Sequence, residues 1–400
     1  MAKTFEERVI KLGLGDPNNW LCEEIDALII VESIDDLKEM LDLGDDQATR
    51  EAQVKALFEG VAPGNDSDSA FLRRVHEFVF GGATLSDEDR KAVDSAFPLE
   101  VSVVAAPDKK INSQWNLGKS GSPVVVNVGT LTIEQGGYIT IENTVLTFNV
   151  DTIVRNGNTG SGNLGDFNIL GVAGGTGSTG PTPEPPGQAQ NGNPGSCSSA
   201  GIAGPGGGNG STGATGTVGG PGTRGGDGLP SMPATITINK GIQLGPNASQ
   251  IIIRTMSGPG GAGGAGGTGA KGGKGGNGGN GVRCGCTGNS GGSGGQGGKG
   301  GAGGTGGPGG NGVDAIGNII VNVPAQFANQ IVPVPVPAQP GPGGPAGAGG
   351  SGGDGGSGGS GGKHNSGGSN GGSGGPGGPG QQGPGGTQVG KPATVNVQPT

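Results

Sequence analysis

Cysteine and histidine are the residues of this 400-residue chain best suited to chemistry, and most lie in glycine-rich sequence. Cys197, Cys284, Cys286 and His364 together offer three thiols and one imidazole, which is a tetrahedral zinc set. The single residue between Cys284 and Cys286 is a closer spacing than structural zinc sites use. A disulfide from Cys197 to Cys284 or Cys286 is the competing interpretation, and unlinked thiols are the third. A bond between Cys284 and Cys286 would be strained.

The elements that carry these residues are runs with glycine at every third position. A Gly-Gly-X run of 24 residues covers 259–282, and a second run of 23 residues covers 290–312. Similar pairs surround 181–200 and 363–369. Two matched runs around a short break indicate a hairpin of two extended arms. The sequence therefore predicts three hairpins, 156–230, 258–312 and 340–390, with tips at 181–200, 283–289 and 363–369.

A glycine period of three excludes an α-helix, which repeats every 3.6 residues, and a strand, which repeats every two. It is typical of a left-handed helix with three residues per turn, in which an arm of about 24 residues would be about 75 Å long. Collagen would need one glycine per triplet and abundant proline. The paired glycines favour polyglycine II helices that bond side by side. A disordered linker is the alternative for any sequence rich in glycine and serine.

Segments of β-branched residues separate the hairpins. They cover 123–155, 233–256, 314–336 and 393–397, and the first contains the alternating run Thr130-Leu131-Thr132-Ile133. Alternation and β-branching are typical of strands. Because each of the first three segments ends close to where a glycine run begins, we expect short β rungs stacked into a β-solenoid-like base.

The first 100 residues have leucine-rich helical patterns and little triplet glycine. Helices are predicted at 5–12, 19–30, 33–43, 46–59, 69–80 and 86–96, with Ser33 and Ser86 as N-caps. The predicted fold class is therefore multidomain: a small all-α attachment domain over 1–100, a linker over 101–122, and then β rungs alternating with three polyglycine II hairpins packed as a sandwich.

Charge divides along the same line. Residues 1–110 contain 24 acidic and 12 basic side chains, whereas the whole chain has a net charge of −9. An acidic head argues against a nucleic-acid partner, which needs a basic footprint. It is either a solubilising surface or a docking face for a partner protein. Neither a secretion signal nor a membrane span is evident, so we expect assembly in the cytoplasm or export without a leader.

Over residues 123–397 the alternation of β segments with glycine triplets resembles the tail-fibre-tip adhesins of T-even-type bacteriophages. Triplet runs such as GGAGGAGGTG also resemble the glycine-rich repeats of mycobacterial surface proteins and, more distantly, the springtail antifreeze proteins. The phage resemblance implies a polyglycine II sandwich with receptor-binding loops at its far end. Ice binding is a weaker implication, because a flat ice face needs regular Thr or Ala, whereas the X residues here are mixed.

The expected function is that of an adhesin, a virion or cell-surface structural protein whose tips bind a receptor and whose helical domain binds another virion or fibre protein. Receptor contacts are predicted at Gln188, Asn191, Arg283, Thr287, Asn289, Lys363, His364 and Asn365. The alternative is a capsid, fibre or surface-layer protein that self-associates through its arms, and a homo-oligomer suits either. No catalytic constellation is present, so we expect neither an enzyme nor a cofactor, with zinc at the tip as the exception.

Overall fold

The computed structural model describes residues 4–20, 23–40, 54, 71, 74–75, 77–79, 83–119, 122–157, 164–198, 201–248 and 250–400. Within them the α-helices with defined bounds are α1 (Phe5–Lys11), α2 (Ile34–Met40) and α3 (Asp87–Asp94), and 3₁₀ helices span Pro17–Asn19 and Ala325–Gln330. Residues 54, 71, 74–75 and 77–79 are also helical. The strands are β1 (Ile25–Val31), β2 (Leu99–Ile111), β3 (Gln114–Lys119), β4 (Val124–Ile133), β5 (Tyr138–Glu142), β6 (Leu146–Arg155), β7 (Phe167–Leu170), β8 (Ala234–Leu244), β9 (Ile251–Met256), β10 (Arg283–Cys284), β11 (Thr287–Gly288), β12 (Ile319–Val323), β13 (Ile331–Val336) and β14 (Val395–Pro399).

Two sheets form the base of the molecule. The seven-stranded sheet has the order β1-β2-β4-β6-β8-β12-β14, and the five-stranded sheet has the order β13-β9-β7-β5-β3. The chain builds both at once, because each of the successive pairs β2/β3, β4/β5, β6/β7, β8/β9 and β12/β13 places one strand in each sheet. All pairings within these two sheets are parallel except that of β1 with β2.

Rows of apolar side chains fill the space between the sheets. Register pairs Val126 with Phe148, Phe148 with Ile236, and Ile236 with Val321, so these buried side chains line up across the seven-stranded sheet. The ring of Phe148 meets that of Phe167 in the other sheet edge-on, with 5.2 Å between ring centroids. β-Branched and aromatic residues suit this half-buried pleated surface, which explains why these segments form strands.

The predicted fold class is wrong in its first domain. β1 pairs antiparallel with β2, from Ile25 opposite Ala105 to Val31 opposite Leu99, and so becomes an edge of the seven-stranded sheet. Leu37 of α2 and Val93 of α3 pack in one cluster with Val101 of β2. The structure is an α/β fold on a mixed seven-stranded sheet and a parallel five-stranded sheet, and its N-terminal part is not an all-α domain.

Two predicted boundaries fail for the same reason, which is that pairing with the sheet overrides local pattern. Residues 19–30, predicted as a helix, contain all of β1 except Val31, and Leu28 and Ile30 are exposed whereas Ile29 and Val31 are less so. Residues 101–122, predicted as a linker, contain most of β2 and all of β3. Most of the helix predicted at 46–59 lies outside the described residues. Elsewhere the helix starts follow capping chemistry, since the Ser86 side chain accepts from the Asp89 amide at 3.1 Å.

Six glycine-rich arms continue the two sheets. They are arm 1 (171–195), arm 2 (204–229), arm 3 (258–282), arm 4 (289–313), arm 5 (338–362) and arm 6 (366–390). Arms 1, 3 and 5 follow β7, β9 and β13, whereas arms 2, 4 and 6 lead into β8, β12 and β14. Bonding runs from arm 1 to 3 to 5 and from arm 2 to 4 to 6, which is the strand order of the two sheets. The sheets therefore set the register of the arms.

Arms 1, 3 and 5 form one layer of the bundle and arms 2, 4 and 6 form the other. We call the middle arm of each layer, arm 3 or arm 4, an inner arm, and each of its triplets donates two amides to neighbouring arms. The Gly263 amide donates to Pro342 O in arm 5 at 2.9 Å, and the Gly264 amide donates to Thr223 O in arm 2 at 2.9 Å. The first bond joins parallel arms of one layer, and the second joins antiparallel arms of the two layers. The same pair of bonds repeats every three residues, which explains the glycine period.

Steric crowding decides how many glycines a triplet needs. A Cβ at Gly298 in arm 4 would collide with the carbonyl oxygen of Ala214 in arm 2, and one at Gly297 would collide with that of Gly353 in arm 5. In arm 6, at the side of the bundle, a Cβ at Gly374 would collide with Gly298 O, but one at Gly375 would meet nothing within 4 Å. Arm 4 therefore needs two glycines per triplet, as arm 5 does at Gly352 and Gly353, whereas arm 6 needs one.

Candidate functional site

The far end of the glycine bundle brings together three turns that are distant in sequence. We name them tip 1 (196–203), tip 2 (283–288) and tip 3 (363–365). In tip 2, β10 and β11 pair antiparallel around Gly285 and Cys286. Gly285 has a φ of 56°, in the left-handed region that glycine adopts freely. Tip 3 is a single turn in which the Asn365 amide donates to Gly362 O at 3.0 Å and His364 has a φ of 61°.

The start of tip 1 differs from the predicted start of the first loop at residue 181. Arm 1 keeps one register with arm 3 from Gly174, whose amide donates to Pro259 O, to Gly195, whose amide donates to Asn280 O. Pro183 and Pro186 occupy two donor positions in this series, and proline has no amide hydrogen to donate. Residues 181–195 therefore belong to the arm, and the loop predicted at 181–200 is limited to tip 1.

A disulfide joins tips 1 and 2. Cys197 and Cys284 are bonded, with an S–S distance of 2.10 Å and a Cα–Cα distance of 5.5 Å. Cys286 lies at the turn of the tip 2 hairpin with an exposed free thiol. Because two of the three thiols form a covalent bond, the zinc set of three cysteines and His364 is not assembled. In the described part of the chain no group of three or more His, Cys, Asp or Glu side chains could hold a metal ion.

Asn289 braces the same two tips from inside. Its side chain is 7% exposed. The Nδ2 atom donates to Ser196 O at 2.9 Å and to Pro205 O at 2.7 Å, and the Oδ1 atom accepts from the Val282 amide at 2.7 Å. Asn289, predicted as a receptor contact, is therefore a buried structural residue that fixes tip 1 against tip 2.

Tip 3 is held against tip 2 by a second asparagine. The Asn365 Nδ2 atom donates to Gly288 O at 2.8 Å. The backbone of Lys363 lies so close to Gly288 that a Cβ there would collide with it. On the other side, a Cβ at Gly285 would lie 3.3 Å from Gly201 O, so tip 1 and tip 2 also touch. The three tips thus form one continuous, braced surface.

Several of the predicted contact residues face outward from this surface. Arg283, Thr287 and His364 are exposed, and Lys363 is partly exposed. Thr287 Oγ1 donates to Cys284 O at 3.2 Å, which supports the tip 2 hairpin. Sequence reasoning missed Ile202, whose side chain is 61% exposed in tip 1. The available signal was a single large apolar residue in a loop of Gly, Ser and Ala.

Two predicted contact residues lie along the side of the bundle instead. Gln188 and Asn191 are in arm 1, where Gln188 Nε2 donates to Asn191 Oδ1 at 3.3 Å. Asn191 Oδ1 also accepts from the Asn277 amide in arm 3 at 2.8 Å. Their polar groups connect neighbouring arms, and the structure does not bring them to the tips.

The tips carry positive charge only. Between residues 185 and 226, and again between 228 and 313, the sequence has no Asp or Glu. In arms 3 and 5 the Lys271 ammonium pairs with Asp354 at 2.9 Å and holds the pKa of that carboxyl below its usual value. Arg283 and Lys363 have no carboxylate within ion-pair distance in the described residues.

Among the helices of the described residues, none is both apolar enough and long enough to cross a membrane. Comparison of the chain with protein-family models, with curated proteins and with solved structures finds no match in any of the three.

Proposed function

We propose that this chain is an adhesin, a structural protein of a virion or cell surface whose three tips bind a receptor on a target cell. The observation that carries the proposal is the braced surface at the far end of the bundle. Loops on a rigid scaffold commonly carry recognition because the scaffold fixes them in space. Here a disulfide and two asparagine side chains fix three such loops against one another.

The scaffold below the tips supports this role. Backbone hydrogen bonds of 2.7–3.2 Å join the arms along most of their length. A bundle of this kind resists bending because each inner arm is bonded on several sides. At a rise of about 3.1 Å per residue, arms of this length would hold the tips about 75 Å from the sheets.

Self-association through the arms is the less favoured candidate. An open edge that offers unpaired amides invites pairing with another chain, and proline at the edge prevents it. Pro333 and Pro335 lie on β13, the edge strand from which arm 5 begins. Pro376 and Pro379 lie in arm 6, at the same side of the bundle. These prolines favour a molecule that does not extend laterally into a layer.

The edge of the seven-stranded sheet formed by β1 lies at the other end of the base from β13 and suits attachment to another virion or fibre protein. β1 is an edge strand, and its side chains Leu28 and Ile30 are 58% and 54% exposed. Large apolar side chains on an exposed edge strand are typical of an interaction surface. We propose that this edge docks the adhesin, because β2, β4 and β6 separate it from β8, the first strand of the sheet that an arm leads into.

Binding of labelled protein to a panel of bacterial isolates tests the adhesin function. The tip variant combines Ile202→Ser, Arg283→Ser and His364→Gly, which retain the disulfide, Asn289 and Asn365. The control variant combines Thr182→Ser, Gln296→Ser and Thr305→Ser, three exposed residues of the arms. We expect the tip variant to lose cell binding at least tenfold with an unchanged melting temperature. Equal binding by both variants would contradict the proposal.

A further inference from the structure

The end of the bundle carries two cationic residues whose backbones both lie beside Gly288. Arg283 lies opposite Gly288 across the tip 2 hairpin, and the Lys363 backbone packs against that same Gly288. His364 follows Lys363 at the exposed turn of tip 3. No carboxylate of the described residues pairs with Arg283 or Lys363, so their charges are available to a ligand.

The acidic and basic residues are unevenly distributed along the chain, and the two tip cations lie in its positively charged part. Residues 1–110 hold 24 acidic and 12 basic side chains, and Leu37, Val93 and Val101 of this part of the chain pack in one cluster at the seven-stranded sheet. Residues 185–400 hold three acidic and nine basic side chains. A separation of this kind steers a molecule so that its positive end approaches a negative surface first.

The size of the tip limits what it can bind. Six arms in two rows of three, spaced about 5 Å apart as hydrogen-bonded chains are, present an end of roughly 15 Å by 10 Å before the loops are added. A stable protein interface buries about 800 Å² on each partner and relies on aromatic anchors. The tips contain no Phe, Trp or Tyr. A single polymer chain of small cross-section fits this surface better than a folded protein does.

On the basis of the adhesin function proposed above, we infer that the receptor is an anionic polysaccharide of the target cell. Arg283 and Lys363 would hold successive negative groups along the polymer, with the guanidinium bonding a carboxylate through two of its N–H groups. Ile202, at the tip 1 side of the same surface, would contact an apolar face of a sugar ring. Charge supplies most of the attraction, so binding weakens with salt.

Binding of the full-length protein to immobilised polysaccharides tests this inference. The probes are polygalacturonate, neutral dextran and polyglutamate, at low salt and at physiological salt. We expect binding to polygalacturonate that weakens at least tenfold between these salt concentrations, weaker binding to polyglutamate, and none to dextran. Binding to dextran equal to that of polygalacturonate, or no binding to polygalacturonate at low salt, would overturn the inference. So would binding to polyglutamate that is as tight as to polygalacturonate.

Matched variants locate the site. Arg283→Gln with Lys363→Gln removes two positive charges at the tips, and Lys240→Gln with Lys391→Gln removes two near the sheets. The tip pair should weaken binding to polygalacturonate at least tenfold, and the base pair less than twofold. Equal losses would mean that net charge alone is responsible. If the Ile202, Arg283 and His364 variant abolishes cell binding while polygalacturonate does not bind, the adhesin function stands and the receptor chemistry is wrong.

Discussion

Asn191 Oδ1 accepts the backbone amide of Asn277 at 2.8 Å, and Asn277 Oδ1 in turn accepts that of Ser357 at 3.0 Å. The two bonds cross arms 1, 3 and 5 at right angles to their length. A second ladder crosses arms 4 and 6, where Asn311 Oδ1 accepts the Thr387 amide at 3.0 Å. Both ladders use the outward amide that the backbone pattern leaves unpaired.

Replacing the middle residue of the first ladder should destabilise the bundle. Asn277→Ala removes the acceptor for the Ser357 amide, and a hydrogen bond of this kind contributes about 1 kcal/mol to the free energy of unfolding. Urea unfolding of the variant measures the loss. Thr268→Ala, at an outward position of arm 3 with no such bond among the described contacts, is the control. Equal losses for both would show that the ladder contributes nothing.

Glycines that look alike in the sequence should differ sharply in their tolerance of a methyl group. Gly298→Ala places a Cβ against Ala214 O in the middle of the bundle, whereas Gly375→Ala places one in open space. We expect Gly298→Ala to lower the free energy of unfolding by about 3 kcal/mol, as overpacking does at its upper range. Gly375→Ala should change it by about 1 kcal/mol or less. Thermal unfolding of the two variants distinguishes these outcomes, and similar melting temperatures would refute the steric argument.

The disulfide should stabilise the tips by restricting the unfolded chain. Its cysteines are 87 residues apart, and closing a loop of that length contributes about 4.6 kcal/mol in the chain-entropy account. Cys197→Ser should therefore lower the melting temperature in the absence of reductant. Cys286→Ser, which removes the exposed free thiol, should leave it unchanged. The difference should disappear in dithiothreitol, and a persistent difference would point to packing of Cys197 as the cause.

Acid should weaken the packing of α3 through one carboxylate. The Arg74 guanidinium donates to both oxygens of Asp89 at 2.7 Å and holds the pKa of that carboxyl below its usual value. A carboxyl whose pKa is lowered in the folded state stabilises the protein at pH values above its ordinary pKa of about 3.9. This stabilisation is lost as the pH falls below that value. Asp89→Asn should therefore cost about 1 to 2 kcal/mol at pH 7 and progressively less below pH 4. Urea midpoints at pH 7 and pH 3 test this, and a constant difference would contradict it.

How much of this structure the sequence reveals depends on whether the cause is local. The positions of the arms can be predicted from the glycine spacing, because an arm with close neighbours on several sides excludes a Cβ at fixed positions such as Gly298. Pro183 and Pro186 misled the interpretation, because they interrupt the glycine pattern without ending the arm. The register of arm 1 with arm 3 is carried by residues on both sides of them.

Non-local pairing explains the other differences. β1 has the composition of an amphipathic helix, but β2 offers it seven paired positions along a sheet edge. Spacing alone could not choose between Cys284 and Cys286, because the choice depends on which of them faces Cys197 across the tips. The burial of Asn289 depends on its bond to the Ser196 carbonyl of tip 1, a contact between residues 93 positions apart that local sequence does not reveal.

Because the bonds between arms repeat every three residues, the reach of the molecule can change only in fixed increments. One triplet added to each of the six arms would move the tips outward by about 9 Å and leave every existing partner in place. A triplet added to arm 1 alone would shift half a hairpin against its neighbours and misalign Cys197 with Cys284. The length of such a protein therefore changes in all the arms together, whereas exposed residues of the three turns, such as Ile202, Arg283 and His364, can change one at a time.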